Sequence, residues 1–158
     1  MDSLVVFIEL SVPRKNRYIC DITEKLYEEG KQIHIYATQK DAVLQLSRDL
    51  WIWKPDSFVP HGVYFGKEQS TLPDEPVIVT SILPDQRADV LILHDPLPLE
   101  KIKGYSQIID FAEIYEKQKH VDSRKRFKAF RDSSGFNVMF TKIGVFLGQK
   151  HSLSKNDV

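Results

Sequence analysis

A basic and aromatic stretch near the C-terminal end is the part of the sequence best suited to binding another molecule. Residues 123–131 read SRKRFKAFR and hold five cationic side chains and two phenylalanines. In a helix, Arg124, Lys128 and Arg131 stand at i, i+4 and i+7 and therefore share one face. Phe127 joins this face at i+3 from the first of them. Cationic groups beside an aromatic ring suit an acidic peptide that ends in an apolar residue, or a phosphate backbone.

The same pattern also fits a solvated basic helix face whose phenylalanines turn towards the core. Two members of the stretch lie on other sides of the helix than the cationic row. We expect Phe130 to pack in the core and Arg126 to face solvent.

The charge of the protein is balanced overall but uneven along the chain. Lys+Arg and Asp+Glu both total 22, so the net charge is zero with histidine neutral. Residues 117–131 nevertheless hold seven cationic side chains and one acidic side chain, Asp122. A neutral protein is not a general nucleic-acid binder, and a local cationic patch indicates a specific docking site.

Length and composition indicate an ordinary globular protein. The 158 residues are 42% hydrophobic and 28% charged, which is typical of one domain with a substantial core. Cys20 is the only cysteine, so no internal disulfide can form, and we expect it to be a small buried residue of a helix. The sequence shows neither an apolar run of 18 residues nor a signal peptide, which predicts a cytoplasmic protein and no membrane partner.

The order of predicted elements is typical of a parallel sheet with crossover helices. Apolar runs predict strands at 4–8, 33–37, 77–79, 89–93 and 107–111, and apolar stripes predict helices at 16–29, from a Thr38 cap to residue 50, and at 114–132. We therefore expect an α/β fold: one three-layer domain over residues 1–143, with a mostly parallel, Rossmann-like sheet of about five strands flanked by helices. Residues 144–158 form a C-terminal tail that we expect to be partly disordered.

The segment 51–76 interrupts this regular pattern with four prolines and two glycines. Its first part is dense in large apolar side chains, among them Trp51, Trp53 and Phe58. Loops usually run over the surface, so these rings either fold back into the core or remain exposed for a partner.

The sequence offers no catalytic constellation. The turn after the first strand lacks glycine, and GxGxxG, GxxxxGK[ST], HExxH and GxSxG are all missing. We therefore predict no enzymatic activity, no cofactor and no metal site. His94-Asp95, after a predicted strand, is where an α/β sheet would place a site, but an Asp95 that caps a turn before Pro96 is the favoured interpretation.

Three motifs follow one another along the chain. The first is Leu50-Trp51, Pro55 and then Ser57-Phe58-Val59-Pro60-His61. The second is Ile109-Asp110-Phe111, and the third is residues 123–131 followed by Gly135-Phe136-Asn137. With these motifs in this order, the sequence resembles the chi subunit of bacterial DNA polymerase III over roughly residues 4–137. The segment 63–76 and the tail after Asn137 depart from the family pattern.

This resemblance implies a non-catalytic clamp-loader accessory subunit that bridges two partners. It implies that the psi subunit of the clamp loader meets Trp51, Phe58 and Ala112. It also implies that the acidic C-terminal tail of single-stranded DNA-binding protein meets the basic helix, at positions Arg124, Phe127, Lys128 and Arg131. DNA would then be reached only indirectly.

Two other functions compete with this interpretation. A module that binds single-stranded nucleic acid would use the same basic helix directly, with Phe127 stacked on a base. A small α/β enzyme would instead need a ligand pocket near Asp95, at the carboxyl ends of the strands.

Overall fold

A single seven-stranded sheet organises the protein in the computed structural model, which describes residues 2–69 and 71–148. The elements are β1 (Ser3–Leu10), α1 (Lys15–Glu28), β2 (Ile33–Tyr36), α2 (Lys40–Ile52), β3 (His61–Tyr64), β4 (Val77–Thr80), β5 (Val90–Leu93), a 3-10 turn (Leu99–Lys101), β6 (Gln107–Glu113), α3 (Lys117–Asp132), β7 (Phe136–Lys142) and α4 (Ile143–Phe146). The strands lie in the order β3-β4-β2-β5-β6-β1-β7, and each neighbouring pair is parallel.

Helices cover both faces of this sheet, as a parallel sheet requires. Alternate residues of β1 point to opposite faces. Val6 and Ile8 pack with α1 and α2 on one face. Val5 and Phe7 pack on the other face, with the aromatic side chains of α3. The predicted α/β architecture with a helix-flanked parallel sheet is therefore confirmed.

The sheet has two more strands than the five predicted. The additional strands, β3 and β7, lie at the two edges. Edge strands are partly exposed, so they lack the continuous apolar run that marks a buried parallel strand. In β7, all six residues after the buried Phe136 are exposed or half-buried, and this hides the strand in the sequence.

Two helix boundaries differ from the prediction for physical reasons. α3 begins at Lys117 rather than near Ile114, because the Ile114 N–H still donates to the Leu10 carbonyl and extends the strand pairing. The N-cap of α2 is Gln39 rather than Thr38. Thr38 instead donates its backbone N–H to Asp95 Oδ2, at 2.8 Å.

The C-terminal part of the described chain adds to the fold. Gly135 adopts a φ of +94°, which suits glycine, and turns the chain from α3 into β7. After β7, Ile143 and Phe146 of α4 pack against the core on the α1 side of the sheet. The predicted tail boundary at residue 144 falls inside α4, and residues 149–158 lie outside the described residues. In the part of the chain that the structure describes, the helices are too short or too polar to span a membrane.

Candidate protein-binding surfaces

Helix α3 is held on the sheet by an aromatic cluster beneath it. The Phe130 ring is buried and packs edge-on against Phe7, with ring centroids 5.8 Å apart, and against Phe136, at 5.2 Å. Phe127 also meets Phe7 edge-on, at 5.3 Å. The expectation that Phe130 packs in the core is confirmed, and these rings fix which face of α3 points outward.

The prediction from helical spacing that Arg126 faces solvent is wrong. Its guanidinium reaches down to β6, where Nε donates to Asp110 Oδ2 at 2.9 Å and Nη2 donates to Oδ1 at 3.1 Å. Nη2 also donates to the Phe111 carbonyl oxygen, at 3.1 Å. Asp110 is only 3% exposed, so its carboxylate requires a partner inside the protein. Arg126 supplies that partner and ties α3 to the sheet.

The outward face of α3 forms a groove of about 460 Å³. It is lined by Val121, Arg124, Lys125, Phe127, Lys128 and Arg131. The structure therefore brings together all four residues that the sequence assigned to a peptide site. Spacing along the helix could also have found Val121, which stands three residues before Arg124. The groove thus combines the apolar surface of Val121 and Phe127 with four cationic side chains.

The cations of this groove differ in their partners. Lys128 Nζ lies 3.0 Å from Asp132 Oδ2, and Arg131 Nε lies 3.3 Å from Asp132 Oδ1. Hydrogen bonds from Lys128 and then Arg131 lower the pKa of the Asp132 carboxyl. Within residues 2–69 and 71–148, Arg124 and Lys125 of this groove form no ion pair, and of the two only Arg124 offers a guanidinium that can bind a carboxylate in two hydrogen bonds.

A second, smaller groove of about 220 Å³ continues from the first across the start of α3. Its lining includes Phe7, Ala112, Ile114, Phe127 and Phe140, together with Arg124 and His120. Phe127 and Arg124 belong to both grooves. The sequence alone does not place Phe140 at this groove, because that ring arrives from β7, which pairs with β1 beside Phe7.

The aromatic residues that follow α2 divide between core and surface. Trp51 is 51% exposed and Phe58 is 66% exposed, and their rings lie 5.6 Å apart. The Trp51 ring also lies against the buried His61, with ring centroids 4.6 Å apart and the planes tilted by 42°. Trp53 instead packs against the core, under the guanidinium of Arg17 at 5.6 Å. Trp51 and Phe58 therefore form an exposed aromatic pair.

Polar contacts hold the loop that carries this aromatic pair. Glu24 of α1 accepts a hydrogen bond from Ser57 Oγ at 2.7 Å and one from Lys54 Nζ at 3.1 Å. His61 is fixed from both sides, by the Val59 carbonyl oxygen at 2.9 Å and by Ser47 at 3.0 Å. The exposed rings consequently sit on a defined scaffold.

Ala112 does not join Trp51 and Phe58. It is buried in β6, and its side chain lines the smaller groove beside Phe127. Trp51 belongs to α2, which packs on the opposite face of the sheet. The three residues grouped by resemblance thus lie on two separate surfaces.

Most of the chain matches one known protein family. The family model of the DNA polymerase III chi subunit, HolC, matches residues 3–138. The chain belongs to this family. The chi-family match includes both the basic groove residues and the exposed aromatic pair, whereas Phe140 and α4 lie beyond it.

A solved structure similar to this chi-family chain is that of S. cerevisiae Dbp5 bound to RNA and ADP BeF3, with a TM-score of 0.58 and 12% sequence identity. The similarity covers 98% of this chain and 45% of that one, so the chain spans less than half of its length. At this identity the likeness shows the fold alone. None of the curated proteins compared matches the chain.

In this chi-family chain, a cavity of about 400 Å³ lies at the carboxyl ends of β1, β5 and β6, so the pocket that the enzyme alternative requires near Asp95 is present. The polar groups that line it also contact one another. Lys15 Nζ donates to the His94 carbonyl oxygen at 2.7 Å and to Glu113 Oε2 at 3.1 Å. Asp95 accepts from the Thr38 N–H and lies 3.2 Å from His94 Nδ1. The hydrogen bond with His94 is the main cause that lowers the pKa of Asp95 to about 2. Asp95 thus has structural partners, but its backbone partner is Thr38, 57 residues away, and not an N–H of the turn before Pro96 that we expected it to cap.

Proposed function

We propose that this chi-family chain is a non-catalytic, cytoplasmic adaptor of a DNA polymerase holoenzyme, which links the clamp loader to the C-terminal tail of single-stranded DNA-binding protein. Membership of the family makes it a DNA polymerase III accessory subunit, which supports the coarser part of this proposal. The observation that carries the finer part is the groove in which Arg124, Lys128 and Arg131 surround Phe127.

The chemistry of the groove matches an acidic tail that ends in an apolar residue. Arg124 offers a guanidinium that can bind the terminal carboxylate in two hydrogen bonds. Lys128 and Arg131 offer charge-assisted contacts to further carboxylates along the tail. The Phe127 ring and Val121 form apolar surface against which the terminal side chain can pack.

Titration of a labelled acidic tail peptide tests this assignment. We expect Arg124→Ala to weaken binding about 5- to 150-fold, or about 1–3 kcal/mol, because a charge-assisted contact at a partly wet surface is lost. Arg48→Ala is the matched control, since Arg48 is an exposed arginine of α2, on the other side of the sheet. Equal affinities for the wild type and Arg124→Ala would contradict the site.

A second surface supports a clamp-loader contact through psi. Trp51 and Phe58 form an exposed aromatic pair, and Ile52 beside them is also exposed. Exposed aromatic clusters on a fixed scaffold are typical of protein interfaces. The proposed psi contact rests on Trp51 and Phe58 and excludes Ala112, because Ala112 lines the smaller groove beside Phe127, on the other face of the sheet.

Binding of psi to surface variants tests the aromatic pair. We expect Trp51→Ala to reduce the affinity at least tenfold, as loss of a central aromatic anchor does. Leu44→Ser is the control, since Leu44 is an exposed apolar residue of the same helix. If both substitutions weaken psi binding equally, or neither does, the assignment of psi to this pair is wrong.

Direct binding of single-stranded nucleic acid is the alternative that the basic face of α3 favours. Phe127 would then stack on a base while the cations neutralise phosphates. Binding of short oligonucleotides at about 150 mM salt separates the two functions. Tight binding with a steep salt dependence would favour the nucleic acid, whereas weak binding beside tight peptide binding favours the adaptor.

A further inference from the structure

The last residue of α3 places a carboxylate of the protein itself against the cationic groove. Asp132 contacts Lys128 with one carboxylate oxygen, at 3.0 Å, and Arg131 with the other, at 3.3 Å. Both cations line the groove. The side chain of Asp132 is 52% exposed, so it sits at the groove's rim and can move away.

The position of Asp132 is unfavourable for the helix itself. The C-terminal end of a helix carries partial negative charge, so a carboxylate there is repelled while Lys128 and Arg131 are favoured. The two neighbouring cations hold the carboxylate in place despite this repulsion. Hydrogen bonds from Lys128 and Arg131 also lower the pKa of Asp132, as expected for a carboxylate held by two cations.

We propose that Asp132 is an internal competitor, whose carboxylate occupies Lys128 and Arg131 until an acidic ligand displaces it. This inference rests on the proposed function of the groove. Arg124 and Lys125 lie outside the competition, because among the described residues neither has an acidic partner. A ligand with one carboxylate can bind Arg124 without displacing Asp132, whereas a ligand with several carboxylates must displace it to reach Lys128 and Arg131. Asp132 therefore weakens the binding of multiply acidic tails and leaves the contact with Arg124 unaffected.

Peptide titration of Asp132→Asn against Asp122→Asn tests the competition. Each substitution removes one negative charge from α3 and keeps the shape of the side chain. Asp122 accepts from Gln118 Nε2 at 3.0 Å, and within the described chain it holds no cation at salt-bridge distance. With a labelled peptide that carries several carboxylates and an apolar end, we expect Asp132→Asn to bind about 2- to 10-fold more tightly, the range of surface ion pairs. Asp122→Asn should change affinity less than about 2-fold.

The outcomes separate this inference from the proposed function. If Asp132→Asn binds the peptide as the wild type does, or more weakly, Asp132 does not compete and the inference is overturned. An equal gain in Asp122→Asn would also overturn it, because net charge alone would explain the effect. If the wild type does not bind the peptide and Arg124→Ala changes nothing, the proposed function itself has failed.

A carboxyl-carbon NMR titration gives an independent measurement on the unaltered protein. When the peptide displaces the Asp132 carboxylate, this group loses the hydrogen bonds from Lys128 and Arg131 that lower its pKa. The pKa of Asp132 should therefore rise in the complex. An unchanged pKa of Asp132 in the saturated complex would overturn the inference.

Discussion

The contact between Arg126 and Asp110 predicts a large loss of stability when Arg126 is shortened to methionine. The substitution keeps most of the aliphatic stem but removes all three hydrogen bonds of the guanidinium. Two of these bonds go to the Asp110 carboxylate, at 2.9 and 3.1 Å, and one goes to the Phe111 carbonyl oxygen. The carboxylate then remains in the protein without its counter-ion.

The magnitude follows from the burial of the two partners. Asp110 is 3% exposed, and the side chain of Arg126 is 24% exposed. Removing one partner of a buried pair costs about 3–5 kcal/mol. Asp110 Oδ1 still accepts the Phe111 N–H, at 2.7 Å, and water can approach from the Arg126 side. We therefore expect the lower end, about 3 kcal/mol, or about 6–12 °C in Tm for a chain of this size.

Urea unfolding followed by circular dichroism measures the change. Lys125→Met is the matched control, because Lys125 is the exposed neighbour of Arg126 on α3, and it should change stability by less than about 0.5 kcal/mol. Replacing both partners, as Arg126→Met with Asp110→Leu, should restore much of the loss, since no unpaired charge remains. A loss under about 1 kcal/mol in Arg126→Met would refute the reasoning.

Two further predictions concern acid pH. Burial lowers the pKa of His34 to about 4, so as pH falls below about 6.5 the unfolded chain binds the proton before the folded protein does. We expect the wild type to lose about 2–3 kcal/mol of stability between pH 6.5 and 4 in urea unfolding. This part of the pH dependence should be missing in His34→Gln. The pKa of Asp95 is lowered to about 2, so its contribution to folding stability is complete above about pH 4 and disappears towards pH 2. In thermal unfolding, Asp95→Asn should be about 1–2 kcal/mol less stable than the wild type at pH 7, and this difference should close at pH 2. Parallel stability curves for variant and wild type would contradict either prediction.

The sequence determined the α/β fold because central parallel strands are buried on both faces and show as continuous apolar runs. Segments such as 4–8 and 107–111 could be assigned to strands on that ground alone. It did not reveal β3 and β7, whose exposed edge positions remove that pattern. Likewise, the 3.6-residue period placed Arg124, Lys128 and Arg131 on one face of α3, and the structure has them in one groove.

Tertiary structure alone decided what each side chain meets. Helical spacing placed Arg126 in solvent, whereas the carboxylate that draws it inward comes from β6, 16 residues earlier in the chain. Phe140 reaches the smaller groove only because β7 pairs with β1. Composition could not tell Trp53, which packs on the core, from the exposed Trp51. The physical reason is common to these cases: local sequence fixes the face of an element, whereas the partner depends on which distant strand or helix packs against it.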